Sequence, residues 1–298
     1  MRVSTKFAIS TPVPFVDVHL ERDNRLFIDP SAIRNGSDPR SRRAHSLLVD
    51  FFTEVLRLRA STLPADHSKG QALLNGLHEP NQTRLGMSAV GVSGKAFGTG
   101  LADDAWDVLG ANPAARAAVI TRLEHLPIFI TKVGPDLISD LTTRILFGLL
   151  VDFTVEMVAL YPSLGTRQTT ETIDIYDPVS HRWISRSVTL PFVPPHQLLL
   201  VPKAWVYWRL LMEPEPFYNR FATETVRVER SVRDPRGRLR GPSKKALNVE
   251  FRDHRNLNVR QAVKYKETEN RNLVTEYQEF VDRNFEALGD DELDQRTT

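Results

Sequence analysis

The sequence predicts an α+β fold in which helices pack on a mostly antiparallel sheet. Residues 134–161 are apolar around most of a helical circumference, which indicates a helix at the centre of a core. Beyond Leu160 the apolar period changes from 3.6 to 2, so residues 170–176 and 183–190 are expected to form a β-hairpin. The chain of 298 residues is 41% hydrophobic and 26% charged, an ordinary composition for a protein with a substantial core.

The first part of the chain suggests a second hairpin. Residues 13–20 and 25–29 are short, β-branched and aromatic, and they flank a turn-like segment at 21–24. Asp29 stands before Pro30, so it is either a turn residue that ends the strand or a carboxylate presented at the end of a sheet. Helices are then expected over residues 44–59 and, more briefly, over residues 66–77.

Residues 86–100 are rich in glycine and contain a Gly94-Lys95 pair. A phosphate-binding loop is not predicted, because Ala96 replaces the Ser or Thr that would hold magnesium and no apolar strand precedes the segment. The segment is expected to be a mobile loop that leads into a helix at 101–110, where a phosphate contact with the backbone remains an alternative. Another helix is expected near 113–124.

The central helix carries a row of charged residues on one face. Asp136, Asp140 and Arg144 follow one another at intervals of four, so their side chains are neighbours. The row can be a salt-bridged helix start, because carboxylates are favoured near a helix N-terminus. It can also be part of a functional site. Leu141, Ile145 and Leu149 are expected to be buried in either case.

Two segments follow the hairpin and carry further predictions. Residues 197–201 form a continuous apolar run, typical of a strand buried on both faces, and Lys203 comes directly after it. Residues 226–245 are rich in Arg, Pro and Gly, which indicates a flexible connection or an extended arm. An amphipathic helix near 269–288 is expected to dock on the body or to bind a partner. We therefore divide the chain into a main α+β domain, 1–225, and a basic arm with a C-terminal helix, 226–298.

Composition and motifs exclude several classes of protein. The absence of cysteine excludes disulfides and cysteine-based zinc sites and is typical of a cytoplasmic protein. Charged residues interrupt the most apolar stretch, so no membrane span is expected. No Gly-x-Ser-x-Gly motif follows a strand, and no His-x-x-x-His pair occurs, which argues against a serine hydrolase and a zinc hydrolase.

Arginine is concentrated in the predicted arm although the net charge of the whole chain is only +2. A local basic stripe can bind phosphates on a nearly neutral protein. The residues expected to contact nucleic acid are Arg233, Arg236, Arg238 and Arg240. A solvated linker is the alternative interpretation of the same run.

Two acids and a lysine suggest a catalytic site: Asp140 on the central helix, Asp174 on the first hairpin strand and Lys203 after the buried run. This order of a helix and three strands resembles the PD-(D/E)xK nucleases over roughly 65 residues. The resemblance implies a restriction-endonuclease-like core in which Asp140 and Asp174 bind Mg²⁺ and Lys203 orients or activates water. The chain departs from the family because its last motif has Val201 where an acid is usual.

Three phrases, at residues 26–30, 138–142 and 198–203, also resemble those of uncharacterised bacterial proteins associated with phage-defence neighbourhoods. The leading hypothesis is therefore a magnesium-dependent nuclease, or a nuclease-like effector, that acts on nucleic acid in bacterial defence. The alternative is a non-catalytic specificity or scaffold subunit that binds nucleic acid or a partner protein of the same system.

Overall fold

The computed structural model describes residues 1–22, 24–78, 80–86 and 99–297, and for residues 99–104 it describes the backbone alone. Most of the glycine-rich segment predicted at 86–100 thus lies outside the described residues. The α-helices and strands, in chain order, are α1 (Val3–Lys6), β1 (Phe27–Ile28), α2 (Pro30–Asn35), α3 (Pro39–Ala60), α4 (Pro64–Asn75), α5 (Thr99–Ala111), α6 (Pro113–Arg116), α7 (Leu126–Phe129), α8 (Pro135–Ile145), α9 (Phe147–Leu160), β2 (Gln168–Asp177), β3 (Arg182–Val193), β4 (His196–Gln197), β5 (Val206–Tyr207), α10 (Pro214–Phe217), α11 (Thr223–Glu229), β6 (Val232–Arg233), β7 (Leu239–Arg240), α12 (Lys244–Glu250), α13 (His254–Glu269), α14 (Leu273–Arg283) and α15 (Asp290–Arg296).

These elements confirm the predicted α+β class, with small antiparallel sheets and many packed helices. The hairpin predicted from the period-2 pattern is present as β2 and β3, which pair antiparallel in a register that places Asp174 opposite Ser185. Strand β4 adds a short third strand through the pairing of Phe192 with Gln197.

The hairpin predicted at 13–20 and 25–29 is wrong. Strand β1 pairs instead with β5, so that Phe27 lies opposite Tyr207. Residues 13–20 make isolated contacts with other segments, and the N–H of Val16 donates to the main-chain oxygen of Val201 at 2.8 Å. The two segments are extended and apolar as predicted, but each finds its backbone partner far away in the sequence. Asp29 ends β1 as the N-cap of α2, where Oδ1 accepts from the N–H of Ser31.

The central helix is two helices, because the backbone of Leu146 leaves the helical conformation between α8 and α9. The burial prediction is nevertheless confirmed: Leu141, Ile145 and Leu149 are 4%, 1% and 7% exposed. Among the described helices, none combines the length and the apolarity that crossing a bilayer requires.

The apolar run at 197–201 is buried as predicted but belongs to a strand only at Gln197. The next three residues satisfy their N–H groups with three different segments, and the first of them, Leu198, donates to the main-chain oxygen of Pro191 at 2.7 Å. The N–H of Leu199 donates to the main-chain oxygen of Gln82, and that of Leu200 donates to the hydroxyl of Thr154 on α9. The run is therefore a buried extended connection that ends beside Lys203.

The chain forms two compact units that do not follow the order of the sequence. The first contains residues 1–106, 134–211 and 285–298, and the second contains residues 107–133 and 212–284. In the second unit the predicted amphipathic helix is α14, which is shorter than expected, lies against α13 and buries Leu273 and Tyr277. The predicted arm includes a hairpin made of β6 and β7.

Candidate functional site

Asp140 and Asp174 both lie near Arg144. Asp140 is half-buried on α8, one turn before Arg144. Asp174 is exposed on β2, where its Oδ1 accepts a hydrogen bond of 2.6 Å from the hydroxyl of Ser185. The negative charge of Asp174 acts on Arg144, because it favours the charged form of the guanidinium and raises its pKa against the larger effect of burial. Asp174 thus acts on a cation that belongs to the protein, and Asp140 precedes the same residue by one helical turn.

Arg144 itself is 1% exposed. Its Nε donates to the main-chain oxygen of Gly76 at 2.9 Å, and the guanidinium lies 4.6 Å from the ring centre of Trp183. Within the described residues neither Nη1 nor Nη2 has a hydrogen-bond partner. Burial lowers the pKa of Arg144 to about 10. A Cβ on Gly76 would meet the indole of Trp183 at 2.0 Å, so glycine permits this close approach.

Lys203 has different neighbours from those of the two aspartates. Its Nζ lies 2.6 Å from Oδ1 of Asp290, at the start of α15. It also lines a groove of about 710 Å³ together with Arg2 and buried Asp17. The lysine that the sequence assigns to catalysis is thus engaged by a carboxylate that the sequence did not assign to the site.

The surroundings of Asp140, Asp174 and Lys203 determine whether they can form the predicted magnesium site. The charge of Arg144, which interacts with that of Asp174, opposes the binding of another cation there, and Lys203 is already paired. In the part of the chain that the structure describes, no three or more His, Asp or Glu side chains group to hold a metal ion. The residues present do not fit a shared magnesium ion well, and we derive no reaction step through one.

The four predicted nucleic-acid contacts, Arg233, Arg236, Arg238 and Arg240, lie on the hairpin of β6 and β7 and are exposed. Asp234 organises the turn by accepting hydrogen bonds from the N–H groups of Arg236 and Arg238 and from Nε of Arg240. The bond from Arg240 is the main cause that holds the pKa of Asp234 below its usual value. The sequence allowed a flexible connection or an extended arm, and the structure shows a hydrogen-bonded hairpin.

A polar cluster in the first unit escaped the sequence analysis. The hydroxyl of Tyr176 donates to Oδ2 of Asp50 at 2.8 Å and lies 2.9 Å from Nδ1 of His181. Tyr176 is 5% exposed, and burial, followed by the bond to Asp50, raises the pKa of its hydroxyl. The cluster borders a cavity of about 450 Å³ between α3, α9 and the β2–β3 hairpin. Asp50 and Tyr176 are 126 residues apart, so no local pattern signals their contact.

Comparisons with known proteins yield one family. Searches of curated proteins and of solved structures return no match. A family model described as a domain of unknown function, DUF8370, matches residues 9–212. The match includes Asp140, Asp174 and Lys203 but ends before the arginine-rich hairpin. Because it spans more than half of the chain, this protein belongs to the DUF8370 family.

Proposed function

We propose that the protein binds nucleic acid through the arginine-rich hairpin of its second unit. The observation that carries this proposal is that hydrogen bonds within the hairpin fix its turn, while two of its arginine side chains are not engaged by other groups that the structure describes. Within the described residues, the guanidinium groups of Arg236 and Arg238 have no hydrogen bond or ion pair. A two-stranded ribbon with exposed arginines suits the major groove of a duplex or a phosphate backbone.

The arginines of the hairpin turn are more available to phosphates than neighbouring basic residues that already form ion pairs. Residues 227–245 hold eight Lys and Arg against two acidic residues. Arg227 and Arg230 are compensated, however, by ion pairs with Glu224 and Glu250. The uncompensated positive charge is therefore concentrated near the turn of the hairpin. Exposed arginines of this kind provide sequence-independent affinity for phosphates.

Preorganisation adds to this affinity. Asp234 fixes the backbone of the turn, and Arg233 donates to the main-chain oxygen of Gly237 at 2.9 Å. Less conformational entropy is lost on binding when a loop already has its bound conformation. The same features support the scaffold or specificity role more directly than a catalytic role, since they need no metal and no reacting group.

The experiment is a titration of a fluorescein-labelled DNA duplex, followed by fluorescence anisotropy over a series of salt concentrations. The variant Arg236→Ala/Arg238→Ala is expected to bind more weakly and to lower the slope of log affinity against log salt by about 1.8, or 0.9 for each lost phosphate contact. The control Lys266→Ala/Arg283→Ala removes the same charge from α13 and α14 and should change affinity much less. Equal effects of the two variants would contradict a specific role for the hairpin.

A magnesium-dependent nuclease of bacterial defence is the second candidate. It is favoured by the positions of Asp140, one helical turn before Arg144, and of Asp174, whose charge acts on Arg144. It is weakened by the charge of Arg144 and by the pairing of Lys203 with Asp290. Under both candidate functions we expect a cytoplasmic protein that acts with a partner protein of the same system.

A further inference from the structure

We propose that the groove beside Lys203 binds two successive phosphates of a nucleic-acid strand, and that α15 covers this site with two carboxylates. The groove lies in the first unit and has a volume of about 710 Å³. Its walls are formed by residues 2–17, Lys203 and residues 290–297. The identity of the ligand rests on the proposed function, whereas the site is separate from the hairpin.

Carboxylates of α15 form ion pairs with Arg2 and Lys203, which line this groove. Asp290 lies 2.6 Å from Nζ of Lys203. Asp294 pairs with Nη1 of Arg2, and Nη2 of Arg2 donates to the main-chain oxygen of Asp294 at 2.7 Å. The lysine and the arginine are each 23% exposed, whereas Asp290 and Asp294 are 57% and 62% exposed. The cations therefore form the inner surface, and the carboxylates form an outer cover.

The spacing of the two carboxylates indicates the class of ligand. Asp290 and Asp294 are four residues apart on α15, which corresponds to about 6 Å along the helix axis. Successive phosphates along a nucleic-acid strand have a similar separation, whereas a single phosphate would satisfy one cation and leave the other unpaired. Two cations that pair with carboxylates about one helical turn apart thus suit two linked phosphates better than they suit an isolated anion.

The other charge at the groove does not cancel these cations. Asp17 is buried, but it accepts hydrogen bonds from the N–H and the hydroxyl of Ser4, at 2.8 and 2.5 Å. Its carboxylate is therefore stabilised by neutral donors. Once Asp290 and Asp294 are removed or displaced, Arg2 and Lys203 leave the groove with a net positive charge.

The helix itself is anchored away from its acidic residues: Leu293 is buried, the N–H of Arg25 donates to the main-chain oxygen of Arg296 at 3.0 Å, and the Arg296 guanidinium lies 4.9 Å from the ring centre of Trp208. A ligand therefore has to displace only the two carboxylate side chains and not the helix. The two ion pairs of α15 are largely exposed on the acidic side and are consequently weak and sensitive to salt. A strand that supplies phosphates in place of the carboxylates can therefore compete with α15. Binding at this groove thus depends on displacement of the two carboxylates of α15.

The test uses a fluorescein-labelled oligothymidylate single strand and the full chain. Asp290→Asn/Asp294→Asn is expected to increase affinity about three- to tenfold, because the two cations no longer have competing carboxylates. The slope of log affinity against log salt should become steeper by about 1.4, or 0.7 for each added contact on a single strand. Adding Lys203→Ala to this variant should remove about half of the gain in slope.

The matched control is Glu286→Gln/Asp291→Asn, which removes two exposed acids from the same region. It should change affinity less than twofold, and a gain equal to that of the Asp290 and Asp294 variant would overturn the inference. Thermal melts show whether each variant remains folded. Loss of affinity on Arg236→Ala/Arg238→Ala without a gain from the α15 variant would leave the hairpin proposal standing and reject the groove. The reverse pattern would reject the hairpin, and absence of binding by every variant would reject both.

Discussion

Replacing the buried Arg144 by methionine is expected to leave stability nearly unchanged. Burial lowers the pKa of the guanidinium from its ordinary value to about 10. At 1.36 kcal/mol for each pKa unit, holding the charge inside the first unit costs about 3 kcal/mol at neutral pH. The hydrogen bond to Gly76 and the contact with Trp183 offset this cost by about 2–3 kcal/mol of stabilisation. Arg144→Met should therefore change the free energy of unfolding in urea by less than about 1 kcal/mol.

A neighbouring substitution supplies the comparison. Ile145→Ala removes a side chain that is 1% exposed and contains no polar group, so it should lower the free energy of unfolding by about 2–5 kcal/mol. A loss of more than about 3 kcal/mol for Arg144→Met would refute the reasoning, because it would mean that the guanidinium is fully satisfied in the folded protein.

The pH dependence gives a second measurement on the same pair of proteins. The pKa of Arg144 in the folded state, about 10, lies below the ordinary value that the unfolded chain retains. Between these two pH values the unfolded chain binds more protons at this position than the folded chain does, so stability at this group rises with pH. The stability of the native protein relative to Arg144→Met should therefore increase through this window. A relative decrease would contradict the buried position of the charge.

Three further predictions concern the other polar sites. If the nuclease hypothesis is correct, Asp140→Asn and Asp174→Asn should abolish magnesium-dependent cleavage of labelled DNA and RNA, and Lys203→Ala should slow it. Unchanged cleavage by the Asp140 variant would reject the site. Tyr176→Phe should lower the free energy of unfolding by about 1–3 kcal/mol, because the buried hydroxyl of Tyr176 loses its hydrogen bond to the half-buried carboxylate of Asp50. A loss near zero would show that the hydroxyl is not bonded. The pKa of Asp234 is lowered by its bond to an arginine, so the hairpin should be stabilised above the ordinary pKa of aspartate and loosen as the pH falls through the lower folded value. Amide protection factors, taken relative to the intrinsic exchange rate at each pH, should then decrease. Exchange protection that survives at pH 2 would contradict the role given to this carboxylate.

The predictable part of the fold is the part whose partners are close in the sequence. The hairpin of β2 and β3 was predicted because its strands alternate and are joined by a short turn. The segment at 13–20 has the same local character, yet its backbone bonds go to residues near 201. Likewise, the apolar period extends through Leu146, and nothing in that period indicates that the helix is interrupted there. Local patterns establish burial more reliably than they establish pairing.

The candidate sites show the same limit. The arginine-rich hairpin is visible in composition, because its residues are consecutive in the chain. The groove is not, since Lys203 and Asp290 are 87 residues apart and Arg2 and Asp294 are 292 apart. Arg144 was identified as part of a charged row, but its complete burial could not be inferred, because an arginine four residues after an aspartate is ordinarily a surface residue.

The extent of the family match separates Lys203 from Asp290. The DUF8370 model spans residues 9–212 and thus contains Asp17 and Lys203, whereas Arg2, α15 and the hairpin of β6 and β7 lie outside it. Lys203 follows a buried segment whose backbone is fixed by distant partners, so its position is set by the core rather than by Asp290. A lysine placed in this way keeps its location when the Asp290 side chain moves, and it can then pair with another anion at little structural cost. The carboxylate of Asp290 is therefore better understood as a removable partner of Lys203 than as the group that positions it.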